Sequence, residues 1–328
     1  MKSKVKELKD KVFIESVPRL IWGMNTDNSF VRSTQLTLNS LGENYSYDFL
    51  MGISGAAFRL HFHPDFCPSS ADSTTGFDVS KILFKSLGYN CDLHKIDDKN
   101  FEEIKALYRR IISQINDGKP IIAINLKVCP EWGIITGYLK DKPGILCRTY
   151  FDESEDYSFA EHAPWLSFFI GEKREPLDRK DLVFNSLKIA VQLANTDAFE
   201  DYFSGFNAFR NWIAILKDYA NSSGNKKFDK IEENWTLFNS LLDSRRSAAN
   251  YLDNITGSIN LKMGKEIIDN YRNEIKILSD LQENVLPKIN SKSTEWTPEI
   301  VNKQIECLIK ALEIEKENIE LIKNEINN

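Results

Sequence analysis

Residues able to move protons or carry an acyl group fall at a few points of this sequence. "NTDNSF" ends a polar run at Asn28 and Ser29 and leads into a helical pattern. A helix N-terminus stabilises a developing anion, so such a junction suits a nucleophile. Ser29 would be that nucleophile if Glu131, in "EWGIITGY", served as its base. Asn, Asp and Ser are also the preferred helix N-caps, so capping is the simpler use of Asp27, Asn28 and Ser29. "HFHPDFCPSS" carries Cys67 with His61 and His63, a pairing that supports acyl transfer if the side chains converge. His61, His63, Asp65 and Cys67 also alternate as metal ligands do. One short segment supplies too few ligands, and only His94 and His162 lie elsewhere, so no metal is expected. Glu131 and Asp152 are acids at expected strand ends. They suit acid/base work or an amine ligand; solvated surface acids are the alternative. Asp27, Trp132, His61 and His63 complete the candidate ligand contacts, with core packing the competing role for Trp132.

These residues need elements to position them. Ser33 to Leu41 reads as a helix stopped by Gly42. "YSYDFLMGISGAAFRLHF" reads as a helix followed by an extended piece, and "DVSKILFKSLGY" as another helix. In "FEEIKALYRRIISQINDGKP", Ile104, Leu107, Ile111 and Ile115 share one helical face. "PIIAINL", "EWGIITGYL", "GILCRTYF" and "WLSFFIG" then read as short strands. Helices followed by an antiparallel sheet predict an α+β domain over 1–175. "GEKREPLDRKD" carries Pro176 and marks a junction to an all-helical domain over 176–328. There Arg245 and Arg246 are expected to pair with acids such as Asp243. The apolar stripe of the last helix, Pro298 to Ile326, is expected to pack on its own domain; a homodimer seam is the alternative.

Composition narrows the function. The 328 residues are 42% hydrophobic and 27% charged, with a net charge of -6. That balance, without a Lys/Arg block, gives no footing for nucleic acid. The sequence has no apolar run of about 18 residues, so no membrane span is expected. Five cysteines without a CxxC pair read as reduced thiols of a cytoplasmic protein. No cofactor is expected.

The order of these pieces resembles the papain-like cysteine-peptidase superfamily in its bacteriocin-leader-peptidase form. It is more closely similar to the group around the butirosin-biosynthesis acyltransferase, protein H. The matching pieces are "DNSF", "YSYDFLMGISGAAFR", "FCPSS", "GKPIIAI", "EWGIITGY", "FSGFNAFRNWIAIL" and "SRRSAANYL". The resemblance implies a papain-like α+β fold with a Cys opening the central helix, a His across the cleft and an Asn or Asp orienting it. Asn28 stands at the Cys position and Glu131 at the His position; the third member falls at Arg148 to Asp152. Hydrolysis needs the missing pair. The resemblance therefore implies a degenerate, non-proteolytic protein that binds a peptide, small amine or acyl ligand. The alternative is an acyl or amide transferase that uses Cys67 or Glu131, with an acyl carrier protein's thioester as donor and an amine as acceptor. A helical interaction module in the second half is a further, weaker reading.

Overall fold

A computed structural model describes residues 4–15, 17–221, 230–257, 259, 261–286 and 296–327. It contains both helices and antiparallel sheets, with a helical C-terminal region. The chain forms two compact units: Met1–Leu50 with Lys81–Leu177, and Met51–Ser80 with Asp178–Asn328. Residues 51–80 thus group with the helical half rather than with the flanking α+β segments.

The first unit is built on an antiparallel sheet. Its strands are β1 (Val5–Glu7), β2 (Lys11–Ile14), then β4 (Tyr89–Lys95), β5 (Ile121–Ile124), β6 (Trp132–Leu139), β7 (Ile145–Arg148), β8 (Ser158–Phe159) and β9 (Leu166–Lys173). Their order is β1-β2-β6-β5-β9-β4, with β7 paired to β6 and β8. β5 and β2 share one edge of β6 end to end: β5 pairs with Trp132 to Ile135, and β2 with Gly137 to Leu139. β7 occupies the other edge, with a bulge between Ile135 and Gly137. A Cβ at Gly137 would lie 2.4 Å from Val12 O, so only glycine lets β2 pair there.

Helices α1 (Ser29–Ser40) and α4 (Phe101–Asn116) belong to this unit. Helix α4 buries Leu107, Ile111 and Ile115 among β-sheet residues such as Ile121 and Ile135. This is the face its periodicity predicts. Near the start of α1, Phe30 packs against Trp132 and Phe168, each with ring centroids 5.3 Å away. The core therefore fixes where α1 begins relative to β6.

In the second unit, α5 (Arg179–Asn195), α6 (Gly205–Asn221), α7 (Ile231–Thr256), α8 (Gly264–Asn284) and α9 (Pro298–Asn327) pack together. A small sheet joins β3 (His61–Phe62) to β11 (Tyr202–Ser204) and β10 (Ala198–Phe199). Two helices, α2 (Tyr47–Ser54) and α3 (Val79–Ser86), span the boundaries between the units. The α9 stripe, including Val301, Ile305, Leu308 and Ile322, is buried. Helices α5, α6 and α8 contact α9. The stripe packs inside the unit, as its amphipathic pattern predicts. Among the described residues no helix is long and apolar enough to cross a membrane.

Candidate functional site

Helix α1 begins four residues earlier than its apolar pattern predicts, because Asn28 caps it. Asn28 Oδ1 accepts from Val31 N at 3.1 Å, satisfying an amide that the helix leaves open. Asn28 N donates to the Tyr47 hydroxyl at 2.9 Å. Ser29 Oγ accepts from Trp132 N at 3.4 Å, so the first turn of α1 meets the first residue of β6. Glu131 precedes that contact and is half-buried. The start of α1, with Asn28 and Ser29, thus lies beside the start of β6, which Glu131 precedes in the chain. The first turn of α1 carries no acid of its own. The carboxylate next to its positive end is that of Asp27, just before the cap.

Three loops surround this junction. Trp22 stacks on Tyr150 with centroids 3.9 Å apart, and meets Phe151 edge-on at 6.5 Å. The Tyr150 hydroxyl donates to Thr26 O. Lys127 Nζ donates to Phe151 O at 3.3 Å, linking the 125–131 loop to the same rim. Asp27 Oδ1 accepts from Gly23 N at 2.9 Å and closes the loop that carries Trp22. Trp22 and Phe151 keep 42% and 38% of their surface exposed, beside exposed Met24 and Val128. Exposed large apolar groups gathered at one place mark a binding surface more than a solvated one.

Two expected members fall elsewhere. Trp132 is 1% exposed and belongs to the Phe30 and Phe168 core, so it offers no ring to a ligand. The Asp152 side chain is buried. It accepts from Thr149 N at 3.1 Å and Thr149 Oγ1 at 3.2 Å, and pairs with Arg148 Nη1 at 3.2 Å. Arg148 also donates to the carbonyls of Val17, Glu155 and Asp156. Asp152 is a loop clamp, because its oxygens are already engaged.

Cys67, His61 and His63 lie in the second unit, in a cluster with Arg59, Ser69, Thr75 and Tyr202. Ser69 Oγ donates to Cys67 Sγ at 3.0 Å and meets Tyr202 Oη at 2.8 Å. The His61 and His63 rings contact the Tyr202 ring, at 5.1 and 5.6 Å between centroids. Arg59 is buried. It donates to His61 Nε2, to Asp72 O at 2.8 Å and to Thr75 O at 2.6 Å. Burial lowers the Arg59 pKa to about 9. A guanidinium can only donate, so His61 Nε2 accepts and the ring is neutral. Burial, and then the Arg59 charge, hold His61 well below the usual imidazole range. His63 Nδ1 accepts from Asp65 N at 3.2 Å. Both imidazoles therefore use their accepting nitrogen elsewhere, and neither presents a base to Cys67.

Among the described residues no group of three His, Cys, Asp or Glu side chains is placed to hold a metal ion. Arg245 pairs with an acid, as expected: it meets Glu315 and lies 3.8 Å from Glu274, while Arg246 donates to Ser279 Oγ at 3.1 Å. The sequence reading missed Trp22, Tyr47 and Phe151 in the first unit, and Arg59, Ser69 and Tyr202 in the second. Trp22 had a usable signal, an aromatic standing in a polar loop just before the junction. Tyr202 had none, being 133 residues from its partner Ser69. No protein-family model matches the chain, and no curated protein matches it.

Proposed function

We propose that the first unit is a degenerate, papain-like cysteine-peptidase scaffold that binds a peptide or small amine at the α1/β6 junction without hydrolysing it. The observation that carries this is the state of the nucleophile position. Asn28 Oδ1 serves as the N-cap of α1, and the neighbouring Ser29 hydroxyl lies on Trp132 N. An amide cannot attack a carbonyl usefully, and a serine without an imidazole is a poor nucleophile. Beside that position lie Glu131, a half-buried residue whose Oε2 is buried, and the exposed rings of Trp22 and Phe151. Glu131 receives an ammonium group, and the rings cover the adjoining apolar part of the ligand. The surroundings of Cys67 support binding over covalent acyl transfer, because its thiol contacts a hydroxyl and neither imidazole presents a base to it.

Calorimetric titration of the full chain with a free-amine tripeptide and its N-acetylated form tests the reading. The free amine is expected to bind saturably and at least tenfold more tightly. Glu131→Gln should abolish that preference, and mass spectrometry should find the peptide intact after a day. Equal affinity for both forms, or a cleaved product, would overturn it. Incubation with an acyl thioester should leave the intact mass unchanged; an adduct lost in Cys67→Ala would establish transfer instead.

A further inference from the structure

A concave site in the first unit lies away from the α1/β6 junction. A cavity of about 420 Å³ opens between α4 and the turn after β6. That volume lies within the range of small-molecule pockets. Trp132 and Leu139 stand at opposite ends of the eight-residue β6 strand, about 23 Å apart along it. Leu139 lines the cavity; Trp132 adjoins Glu131.

The floor is apolar: Ile104, Tyr108 and Ile112 from α4, and Leu139 from β6. Burial raises the Tyr108 pKa, so that hydroxyl stays neutral on the cavity wall. Phe101 stands at the edge with 72% of its surface exposed, an unusual state for a large apolar ring.

The rim is cationic. Lys105 and Arg109 lie one turn apart on α4, and Lys142 faces the cavity from the turn. Like charges at this helical spacing repel each other. Lys140 pairs with Glu7 at 2.5 Å, and the neighbouring Arg110 pairs with Asp92 at 2.6 Å. Lys105, Arg109 and Lys142 have no ion-pair partner among the described residues. With Asp141 as the acid of the rim, and Lys140 neutralised by Glu7, two positive charges remain uncompensated around an apolar floor.

We propose that this cavity binds an amphiphilic phosphate monoester, an apolar chain or ring ending in a phosphate. The apolar body lies on Ile104, Tyr108, Ile112 and Leu139, and the phosphate sits among Lys105, Arg109 and Lys142. A phosphate monoester carries about -1.5 to -2 charges at neutral pH, which matches the rim. Arg109 adds the planar two-pronged donor that phosphate oxygens accept. A carboxylate would leave positive charge uncompensated. An acidic protein helix would need roughly 800 Å² of surface on each partner, more than this opening between one helix and one turn presents.

Octyl phosphate, held below its micelle concentration, is the probe for the full chain. Calorimetry is expected to show one saturable site, at least tenfold tighter than for octanoate, octanol or inorganic phosphate. The double variant Lys105→Gln/Arg109→Gln should weaken octyl phosphate at least tenfold while its circular dichroism and melting stay unchanged. Lys142→Gln, on a different element, should weaken it severalfold and stands as the test if the double variant fails to fold. Lys303→Gln, on α9, should bind as the parent does. Equal affinity for all the anions, or no weakening in a folded rim variant, would overturn the proposal. So would binding to phosphatidic-acid vesicles with none to monomeric octyl phosphate, which would make the patch a membrane contact.

Discussion

The α1/β6 junction and the Cys67 cluster make an instructive pair. By residue type the cluster is richer: a thiol, two imidazoles, an arginine, a serine and a tyrosine. By arrangement it is poorer. Arg59 and His61 are buried, and their hydrogen bonds run to each other, to backbone carbonyls and to Thr75. The junction has only an amide, a hydroxyl and a carboxylate, yet it opens onto exposed aromatic rings. Reactive residue types do not make a site when their donors and acceptors already satisfy one another. What a ligand can use is what the fold leaves open.

The largest effect expected from this contrast is in the second unit. Arg245 pairs with Glu315 and donates to Ala57 O and Arg59 O, both at 3.1 Å. It therefore ties the Cys67-bearing segment to the helices. Arg245→Ala strands buried Glu315 and Glu274 and two carbonyls, and should cost about 3–5 kcal/mol in denaturant unfolding. A loss under about 1 kcal/mol would show that the cluster is not held structurally. The junction has a matching anchor. Phe30 is 1% exposed between Trp132 and Phe168, and Phe30→Ala should also cost about 3–5 kcal/mol. Peptide affinity in a still-folded Phe30→Leu should fall with it, because Ser29 is the next residue.

Acidity separates the buried groups further. Unfolded, His61 binds its proton near its ordinary value of about 6.5; folded, it does so only at much lower pH. Its contribution is therefore intact above about pH 6.5 and falls as pH drops below that, by up to about 1.4 kcal/mol per pH unit. Glu274 has the opposite sign. Burial and the neighbouring Glu315 push its carboxyl well above 4.5, so the folded state holds a proton that the unfolded state releases. Its contribution is present below about pH 4.5 and is lost as pH rises. Between about pH 4.5 and 6.5 the two oppose. His61→Gln should make stability rise on acidification, and Glu274→Gln should make it fall more steeply than in the parent. Unfolding free energies from pH 8 to 5 check both slopes; parallel slopes in all three proteins would remove the assigned shifts.

The same contrast explains what could be read in advance. Long amphipathic segments were legible: α4 and α9 lie within a few residues of their expected ranges, because a 3.6-residue period repeats over several turns. Strand β6 was legible from its apolar run. The β1–β2 hairpin was not, since strands of three and four residues, each with one lysine, carry too little pattern. Strand β4 holds Asn90, Asp92, His94 and Lys95 and was not among the expected strands; its pairing with β9 decides its conformation. The meeting of the α1 start with the β6 start rests on one long-range contact, Trp132 N to Ser29 Oγ. The grouping of residues 51–80 with the helices was not legible, as it rests on contacts such as those from Arg245, nearly 190 residues away.

The smallest expected change in stability tests the comparison most directly. Trp22 is 42% exposed and stacks on Tyr150, and such a ring pair is worth about 0.5–1.5 kcal/mol. Trp22→Ala should therefore lower stability by no more than about 1 kcal/mol, far below the Arg245→Ala loss. If the rim is the ligand's apolar contact, the same variant should bind the free-amine tripeptide at least tenfold more weakly. Its amine preference should survive, since that depends on Glu131. A large stability loss would make Trp22 part of the scaffold, and unchanged binding would move the ligand off the rim. A small loss of stability with a large loss of binding is the pattern of a residue kept exposed for recognition, and no residue of the Cys67 cluster should reproduce it.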